Sequence, residues 1–581
     1  MKTRSVLGGL MAACSILALT SAAAAQTANS ARDSTEFTRR TDAERAPEQL
    51  AMRFDKADLT IKVIPDDKAI DAVAVLDFTA TAPLDALVVE LDTLFTISAI
   101  SVDGAAVPVD RWSNPEGRLT VRLAEPLAAG QSTSLRIAYA GQPHVAVRAP
   151  WDGGFVWSTA PGGEPWIATA VQLEGCDLIW PCIDNSNAEP GLVDLHITVP
   201  SNLSAPANGV FKGKTDHGDG WTTWDWSIKK PNIYAVSLTV GPYEEVKADY
   251  QSRFGNVIPM HFWHLKSDDP AQVQALFSEF PKILEFFEAT VGPYPFGDEK
   301  MGVVETPHKG MEHQTINAYG NNFVLDGSGY DDLLQHEFAH EWFANQLTNH
   351  NADDMWLHEG LGSYMQPLYA RWLNGERYMQ DELAAQRQGV ANRNAVVSRT
   401  NRTVDDVYTG PDGPGGDIYV KGSLIAHSLR MLIGDEDFYE ALTTLVYGRP
   451  DPRPGNFVPV IRSTPDFLAI VNAVTGKDYG WFFHTYLYQA DLPVLKQTRQ
   501  DDRMLLEWTT ADGSPFPMPV EVEIDGRVQT VAMTDGRGEI AAPAGRHVLV
   551  DPFNKVLRQL DFIDDYQAWR RAEAQKRAAA N

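Results

Sequence analysis

The sequence predicts a multidomain α+β protein with an amino-terminal β-domain, a mostly helical middle domain and a small carboxy-terminal β-sandwich. The chain has 581 residues, which is more than a single hydrophobic core usually organises. Apolar residues alternate with a period of two up to about residue 245 and again at 492–560, as is typical of strands. Between these segments the apolar spacing is mostly that of helices.

The first 25 residues have the layout of a secretory signal peptide. Lys2 and Arg4 precede an apolar run from Val6 to Leu19, and small residues follow up to Ala25, near which we expect cleavage. A transmembrane anchor is the alternative interpretation, but the run is short and interrupted by glycine. Since no later segment is apolar enough to span a membrane, we expect an exported protein, periplasmic or extracellular, without a membrane span after cleavage.

Residues 26–50 are polar and lack periodicity, which predicts a mobile leader. The β-domain is predicted at 51–245, where short alternating runs are separated by Gly, Pro and Asp. Clear examples are Leu59–Ile64, Ala72–Phe78 and Leu135–Tyr139. Cys176 and Cys182 remain after cleavage, and export would permit a disulfide between them. The sequence does not show whether the two thiols face each other, so this pairing stays open.

The middle domain is predicted at 246–491. Apolar residues have helical spacing in 271–291, 331–347, 422–448 and 464–488, whereas Lys300–Glu305 is strand-like. In the β-sandwich at 492–560, Asp525 and Gly526 predict a hairpin turn. The charged, alanine-rich segment 561–581 predicts a helical tail.

The composition opposes one class of partner. Acidic residues number 77 and basic residues 49, giving a formal net charge of −28. Such a surface repels phosphate backbones and anionic lipids, so we expect no nucleic-acid partner. Neither charge nor composition indicates the oligomeric state.

One segment, His336-Glu337-Phe338-Ala339-His340, predicts a metal site. Two histidines four residues apart lie on one face of a helix, so both imidazoles can bind one zinc ion. Glu337 is then placed to contact a metal-bound water. Glu359 follows His340 after eighteen residues. Two His and one Glu leave a coordination position open for water, as in hydrolytic sites. For the five-residue motif alone, a surface helix with solvated side chains is the alternative.

Three further segments, together with this zinc motif, resemble the aminopeptidase-N family of gluzincins. They are Gly310-Met311-Glu312-His313, Tyr419-Val420-Lys421-Gly422, and Gln172-Leu173-Glu174 with Trp180-Pro181-Cys182-Ile183-Asp184. The resemblance covers about residues 50 to 495. It implies a thermolysin-like zinc catalytic domain at 246–491, one zinc ion as cofactor, and removal of the first residue from peptides with a free amino terminus.

The resemblance also implies roles for individual residues. Zinc would be bound by His336, His340 and Glu359, with Glu337 as general base and Tyr419 as donor to the oxyanion. The substrate would be bound by Glu312, Glu174, Gln172, Gly310 and Met311, with Glu312 as the first choice for the α-amino group. His313 departs from the family, which usually has Asn there. The Gly-rich stretch 409–416 is either a mobile loop beside the cleft or an ordinary connection.

Three alternative functions remain open at this stage. An endopeptidase or a dipeptide-releasing enzyme would use the same zinc motif, although Glu312 argues against it. A non-catalytic, zinc-containing binding protein has no need of Glu337 and Tyr419. Epoxide hydrolysis of the leukotriene-hydrolase type shares the zinc motif and its neighbours.

Overall fold

The computed structural model describes residues 41–455 and 457–580. The predicted signal peptide at 1–25 lies outside these residues, as does the leader up to residue 40. Among the helices that the structure describes, none combines the length and the apolar character needed to cross a membrane.

The amino-terminal domain is built on an eight-stranded sheet with the order β12-β13-β11-β1-β2-β8-β4-β5. Two three-stranded sheets, β14-β10-β9 and β3-β7-β6, complete it. The period of two is seen directly in the central pair, where the buried residues Leu59 and Ile61 of β1 lie opposite Ala74 and Ala72 of β2. The strands are β1 (Met52–Ile64), β2 (Ala69–Ala80), β3 (Leu84–Glu90), β4 (Thr96–Val102), β5 (Ala105–Ala106), β6 (Trp112–Ser113), β7 (Arg118–Leu127), β8 (Ser132–Gly141), β9 (Gly154–Thr159), β10 (Pro165–Ala170), β11 (Leu192–Pro200), β12 (Val210–Asp216), β13 (Trp221–Lys229) and β14 (Thr239–Val240).

Residues 41–50 differ from the mobile leader that was predicted for 26–50. Helix α1 (Pro47–Leu50) packs on the β-domain, and Gln49 Nε2 donates to the Glu90 carboxylate at 2.8 Å. Asp42 Oδ1 accepts hydrogen bonds from the backbone and hydroxyl of Ser186. Polar composition was misleading here because these side chains have buried polar partners on the domain.

A disulfide joins Cys176 and Cys182 in the same domain, with their Cα atoms 6.2 Å apart. The sequence had left this pairing open.

The middle domain begins with a four-stranded sheet in the order β15-β16-β17-β18, followed by helices. The predicted boundary between residues 245 and 246 falls inside β15. Because the whole of β15 pairs in the sheet of the second domain, that domain begins at about residue 243. The strands are β15 (Tyr243–Gln251), β16 (Val257–Leu265), β17 (Met301–Glu305), β18 (Asn317–Tyr319), β19 (Leu347–Asn349) and β20 (Val460–Arg462). The helices are α2 (Pro270–Phe277), α3 (Phe280–Thr290), α4 (Asp332–His340), α5 (Trp356–Asn374), α6 (Glu376–Gly389), α7 (Val404–Tyr408), α8 (Asp417–Ile433), α9 (Asp435–Tyr447), α10 (Thr464–Thr475) and α11 (Gly480–Leu487).

The first two domains meet along β17 and β18. Met301 and Val303 belong to the hydrophobic core of the middle domain, whereas Val304 and Ile316 pack into the core of the β-domain. The segment 310–313, which the sequence singled out, therefore lies where the two cores meet.

The carboxy-terminal strands form two three-stranded sheets, β21-β22-β25 and β24-β23-β26. Ile524 pairs with Arg527 across the predicted Asp525-Gly526 turn, which confirms the hairpin. The last helix, α12 (Asp561–Ala580), is tied to the middle domain by Gln567, which donates to the carbonyls of Gln388 and Val390. The multidomain α+β fold class is confirmed. The strands are β21 (Val494–Gln500), β22 (Arg503–Thr509), β23 (Val520–Ile524), β24 (Arg527–Val531), β25 (Arg537–Ala541) and β26 (Val548–Val550).

Candidate metal centre and active site

Helix α4 presents the two histidines of the zinc motif. Asp331 caps its amino terminus by accepting from the Leu334 backbone at 3.0 Å. His336 and His340 lie one turn apart, and their Nε2 atoms are 3.0 Å from each other. His340 is fully buried and His336 is partly exposed.

Helix α5 supplies the third ligand from its first turn. Glu359 Oε2 lies 3.5 Å from His336 Nε2 and 3.3 Å from His340 Nε2. Ligands about 2.0–2.1 Å from a tetrahedral zinc ion are separated by about 3.3 Å, so the three measured separations fit one ion. Glu359 Oε2 is buried without a hydrogen-bond partner, as expected for an atom that binds a metal. Among the described residues, these three side chains form the one cluster suited to a metal ion.

The surroundings of the triad also suit a cation. His340 Nδ1 lies 3.3 Å from the Phe343 carbonyl, which leaves Nε2 as the coordinating atom. Burial opposes the charged form of His340, yet Glu359 and Glu312 raise its pKa to about 10. Burial likewise opposes the charged form of Glu359, but the two histidines hold its pKa well below the usual value. The site therefore concentrates negative charge around the point where the three ligand atoms converge.

Glu337 is buried one position after His336 and faces the Gly310 backbone. A β-carbon added at Gly310 would overlap the Glu337 carboxylate, so only glycine leaves room for it there. Burial raises the Glu337 pKa well above its usual value, and the nearby Glu312 carboxylate raises it further. A carboxyl with a raised pKa is suited to accept and return a proton near neutral pH.

Glu312 is buried between the two domains. Its Oε1 accepts from Gln172 Nε2 at 2.8 Å and from the Tyr234 hydroxyl at 2.9 Å. Both donors come from the β-domain, and the Glu312 carbonyl also accepts from Asn345. Burial raises the pKa of Glu312, with a smaller contribution of the same sign from Glu359. The structure thus brings together two of the residues predicted to bind substrate, Gln172 and Glu312.

Of the other three predicted substrate residues, Gly310 lies against Glu337, and the remaining two lie in different surroundings. Met311 is 2% exposed and its side chain packs into the β-domain core, and its role in substrate binding stays a prediction. Glu174 is 1% exposed and lies against Gly153 in the β-domain. Its role in substrate binding stays a prediction.

Two glycines place Tyr419 beside the metal ligands. Helices α5 and α8 cross at Gly360 and Gly422, where a β-carbon on Gly422 would lie 2.8 Å from the Gly360 Cα. This close approach brings the Tyr419 hydroxyl to 2.9 Å from Glu359 Oε1. The glycine of the Glu-Gly pattern and the glycine of the Tyr-x-Lys-Gly pattern therefore contact each other where the two helices cross.

Sequence reasoning missed two tyrosines at this site. Tyr234 supports Glu312, and Tyr408 donates to Glu359 Oε1 at 2.8 Å while lying 3.0 Å from the Tyr419 hydroxyl. No pattern around Tyr234 indicated such a role. For Tyr408, the Gly-rich stretch that follows it was the available signal.

The comparison with protein families agrees with this geometry. Residues 277–453 match the family model of the Peptidase family M1 domain. These residues form a peptidase family M1 domain. The match includes the two helices that carry the three metal ligands, and it confirms the resemblance to the aminopeptidase-N family of gluzincins.

Curated relatives are distant in sequence and longer than this chain. Human aminopeptidase B is 24% identical over 403 residues, which cover 64% of this chain and 58% of that protein. Leukotriene A-4 hydrolase of Xenopus laevis is 24% identical over 304 residues, 50% of this chain and 47% of that protein. The chain thus spans about half the length of the curated relatives that it matches.

Solved structures share the fold. The M1 zinc metallopeptidase of Deinococcus radiodurans aligns with a TM-score of 0.63 at 23% identity, over 76% of this chain and 95% of that one. A mutant of that protein, bound to a Tyr-Ser-Ala substrate, aligns with a TM-score of 0.65 at 23% identity, over 78% of this chain and 98% of that one. The M1 domain in this chain therefore lies within a fold shared by zinc metallopeptidases.

Proposed function

We propose that this protein is a zinc-dependent aminopeptidase that hydrolyses the first peptide bond of peptides with a free amino terminus. The observation that carries the proposal is the buried Glu312 carboxylate beside the metal triad, held by Gln172 and Tyr234. An isolated buried carboxylate is costly, and an arriving cation offsets that cost. The α-amino group of a peptide is such a cation, and an acetylated amino end is not.

The residues around Glu312 give the reaction its geometry. When bound by His336, His340 and Glu359, zinc supplies Lewis acidity to a water and to the substrate carbonyl. Glu312 binds the α-amino group, which fixes the first peptide bond relative to the metal ligands. With the amine held by this carboxylate, we expect the bond after the first residue to be the one presented to the metal ligands.

Glu337 transfers the proton during the reaction. Its carboxylate takes a proton from the attacking water and then passes it to the departing amine. Gly310 leaves the space in which this carboxylate sits. Burial and the charge of Glu359 raise the pKa of Tyr419, so its hydroxyl keeps its proton and donates to the oxyanion.

We also propose that the protein acts outside the cytoplasm, in the periplasm or extracellularly. The signal-like segment at 1–25 supports this, and a disulfide such as Cys176–Cys182 is stable in an oxidising compartment. Export is tested by fusing residues 1–50 to a reporter enzyme and assaying the periplasmic and culture fractions. A reporter that stays in the cytoplasm would contradict it.

The activity is tested with matched peptides that carry free or acetylated amino ends, with and without a zinc chelator. We expect cleavage of the free peptides alone, one residue at a time, abolished by chelation and restored by zinc. Cleavage of the acetylated set would replace the proposal with an endopeptidase. No hydrolysis by the zinc-loaded protein across peptides of varied first residues would count against any peptidase.

Glu312→Gln separates the role of the carboxylate from that of zinc. This variant keeps the side-chain shape but removes the charge, so we expect KM to rise about tenfold or more while zinc binding is retained. Glu288→Gln is the matched control, because Glu288 is also a buried carboxylate held by hydroxyls, those of Tyr250 and Ser252. Its KM should equal that of the parent protein.

A further inference from the structure

The two carboxylate oxygens of Glu359 have different surroundings. Oε2 faces His336 and His340 and has no hydrogen-bond partner. Oε1 accepts from two hydroxyls, those of Tyr408 at 2.8 Å and Tyr419 at 2.9 Å. One oxygen is thus left for the metal and the other is held by protein.

During a reaction, the two hydroxyls that donate to Oε1 have different roles. A tyrosine hydroxyl carries a single proton, so Tyr419 must release Glu359 before it can donate to an oxyanion. The Tyr408 hydroxyl lies 3.0 Å from that of Tyr419 and donates to the same oxygen. Glu359 therefore keeps one hydrogen bond when Tyr419 turns to the substrate.

The chain holds Tyr408 in place with a short capped helix and a tight loop. Thr403 and Asp406 form a capping box at the start of α7, which ends at Tyr408. In the following loop, a β-carbon on Gly413 would overlap the Asp406 carbonyl, and Gly415 N donates to the Val407 carbonyl at 3.0 Å. The Gly-rich stretch 409–416 is therefore folded back on α7.

We infer that Tyr408 is a positioning residue for the metal site. Its hydroxyl donates to Oε1 of Glu359, which orients Oε2 towards the metal. Tyr419 can then release Glu359 and donate to the substrate. The inference rests on the proposed function only for the part that Tyr419 plays; the part played by Tyr408 concerns zinc binding itself. Hydrogen bonds to the outer atoms of metal ligands typically change metal affinity about 10- to 100-fold.

The test compares Tyr408→Phe with Tyr419→Phe and measures zinc affinity by competition with a chelator of known affinity. We expect Tyr408→Phe to weaken zinc binding about tenfold or more. Tyr419→Phe should change it only about two- to threefold, because Tyr408 still holds Oε1. At saturating zinc, the order should reverse for kcat, with Tyr419→Phe the more impaired variant.

Tyr486→Phe is the matched control, because it removes one buried hydroxyl, which donates to the Leu557 carbonyl, from the same domain. It should bind zinc as tightly as the parent protein, which separates a local effect on Glu359 from general destabilisation. Unchanged zinc affinity in Tyr408→Phe, or equal losses in both site variants, would overturn the inference. Because zinc affinity is measured without substrate, these outcomes are independent of whether the protein cleaves peptides.

Discussion

At the scale of single residues, Gly310 controls the position of the proposed general base. A methyl group at this position would overlap the Glu337 carboxylate, which is buried and has little room to move. We expect Gly310→Ala to lower kcat about 100-fold, because a displacement of about 1 Å can cost that much. Zinc content should not change, since the atoms nearest to the added methyl group belong to Glu337 and Leu333 and not to the three ligands. Peptide hydrolysis and metal analysis of the same preparation check both statements.

Gly327→Ala is the control for this substitution. The added methyl group there has no atom within 4 Å, so activity should equal that of the parent protein. Full activity in Gly310→Ala would show that the site tolerates a shift of Glu337, and would remove the reason given for glycine at this position.

His313, which follows Glu312, makes stability depend on pH. Its ring is fully buried, both ring nitrogens lack hydrogen-bond partners, and burial lowers its pKa to about 3, with a small contribution from His308. The unfolded chain, with a histidine pKa of about 6.5, binds more protons than the folded chain between these two values. Stability is thus fully present above about pH 6.5 and is lost as the pH falls towards 3.

This gives a prediction for His313→Asn. Between pH 7 and pH 5, the free energy of unfolding of the parent protein should fall by about 2 kcal/mol more than that of the variant. Urea unfolding at the two pH values measures the difference. His217→Asn, which changes an exposed histidine, should follow the parent protein. Parallel pH dependence of parent and His313→Asn would contradict the assignment of a neutral, buried ring.

At the scale of elements, the sequence predicted those parts of the site whose spacing matches helix geometry. His336 and His340 are one turn apart, and the cap at Asp331 follows from a short acidic residue before an apolar helical repeat. Glu359 and Tyr419 were found through the resemblance, and the Gly360–Gly422 crossing gives the physical reason for their patterns. In these cases, the spacing of residues in the sequence follows directly from the geometry of the helices that carry them.

The parts that were missed depend on contacts between distant segments. Tyr234 reaches Glu312 across 78 residues, and its own sequence neighbourhood carries no periodic signal for that contact. Residues 41–50 appeared mobile because they are polar, but their partners are distant in sequence, on strand β3 and in the loop before β11. The burial of the Met311 side chain in the β-domain core was likewise not predicted. Whether a polar residue or a motif residue is buried depends on contacts between distant segments. The periodicity of the sequence does not show such contacts.

The loop 409–416 gives a prediction at the same scale. Gly413 packs directly on the Asp406 and Val407 carbonyls, so Gly413→Ala should push the loop away from α7 and shift Tyr408 from Glu359. We expect zinc affinity to fall about tenfold, as for Tyr408→Phe. Gly416→Ala lies in the same loop, where a β-carbon meets no atom within 4 Å, and should leave affinity unchanged. Equal affinities for the two glycine variants would show that the loop does not hold Tyr408.

At the scale of the whole molecule, the site depends on two domains at once. Gln172 and Tyr234 of the β-domain hold Glu312 of the catalytic domain, and Asn232 donates to the Ala344 carbonyl just beyond the zinc helix. Val304 and Ile316 of the catalytic domain lie in the β-domain core. The Glu312 carboxylate, which we propose binds the amine, and the three proposed metal ligands are therefore fixed relative to each other by the interface, and not by one helix.

Zinc should stabilise this assembly as well as activate it. The ligands come from α4 and α5, and they converge only in the folded chain. A ligand that binds only the folded state adds about 2.7 kcal/mol when its free concentration is one hundred times its Kd. We expect the urea midpoint to rise with free zinc along this curve, with the Kd that chelator competition gives. His336→Ala removes one ligand, so its midpoint should be nearly independent of zinc over the same range. A parent midpoint insensitive to zinc would mean that the three ligand atoms do not bind the ion in the folded protein, and both the metal site and the proposed hydrolysis would then have to be abandoned.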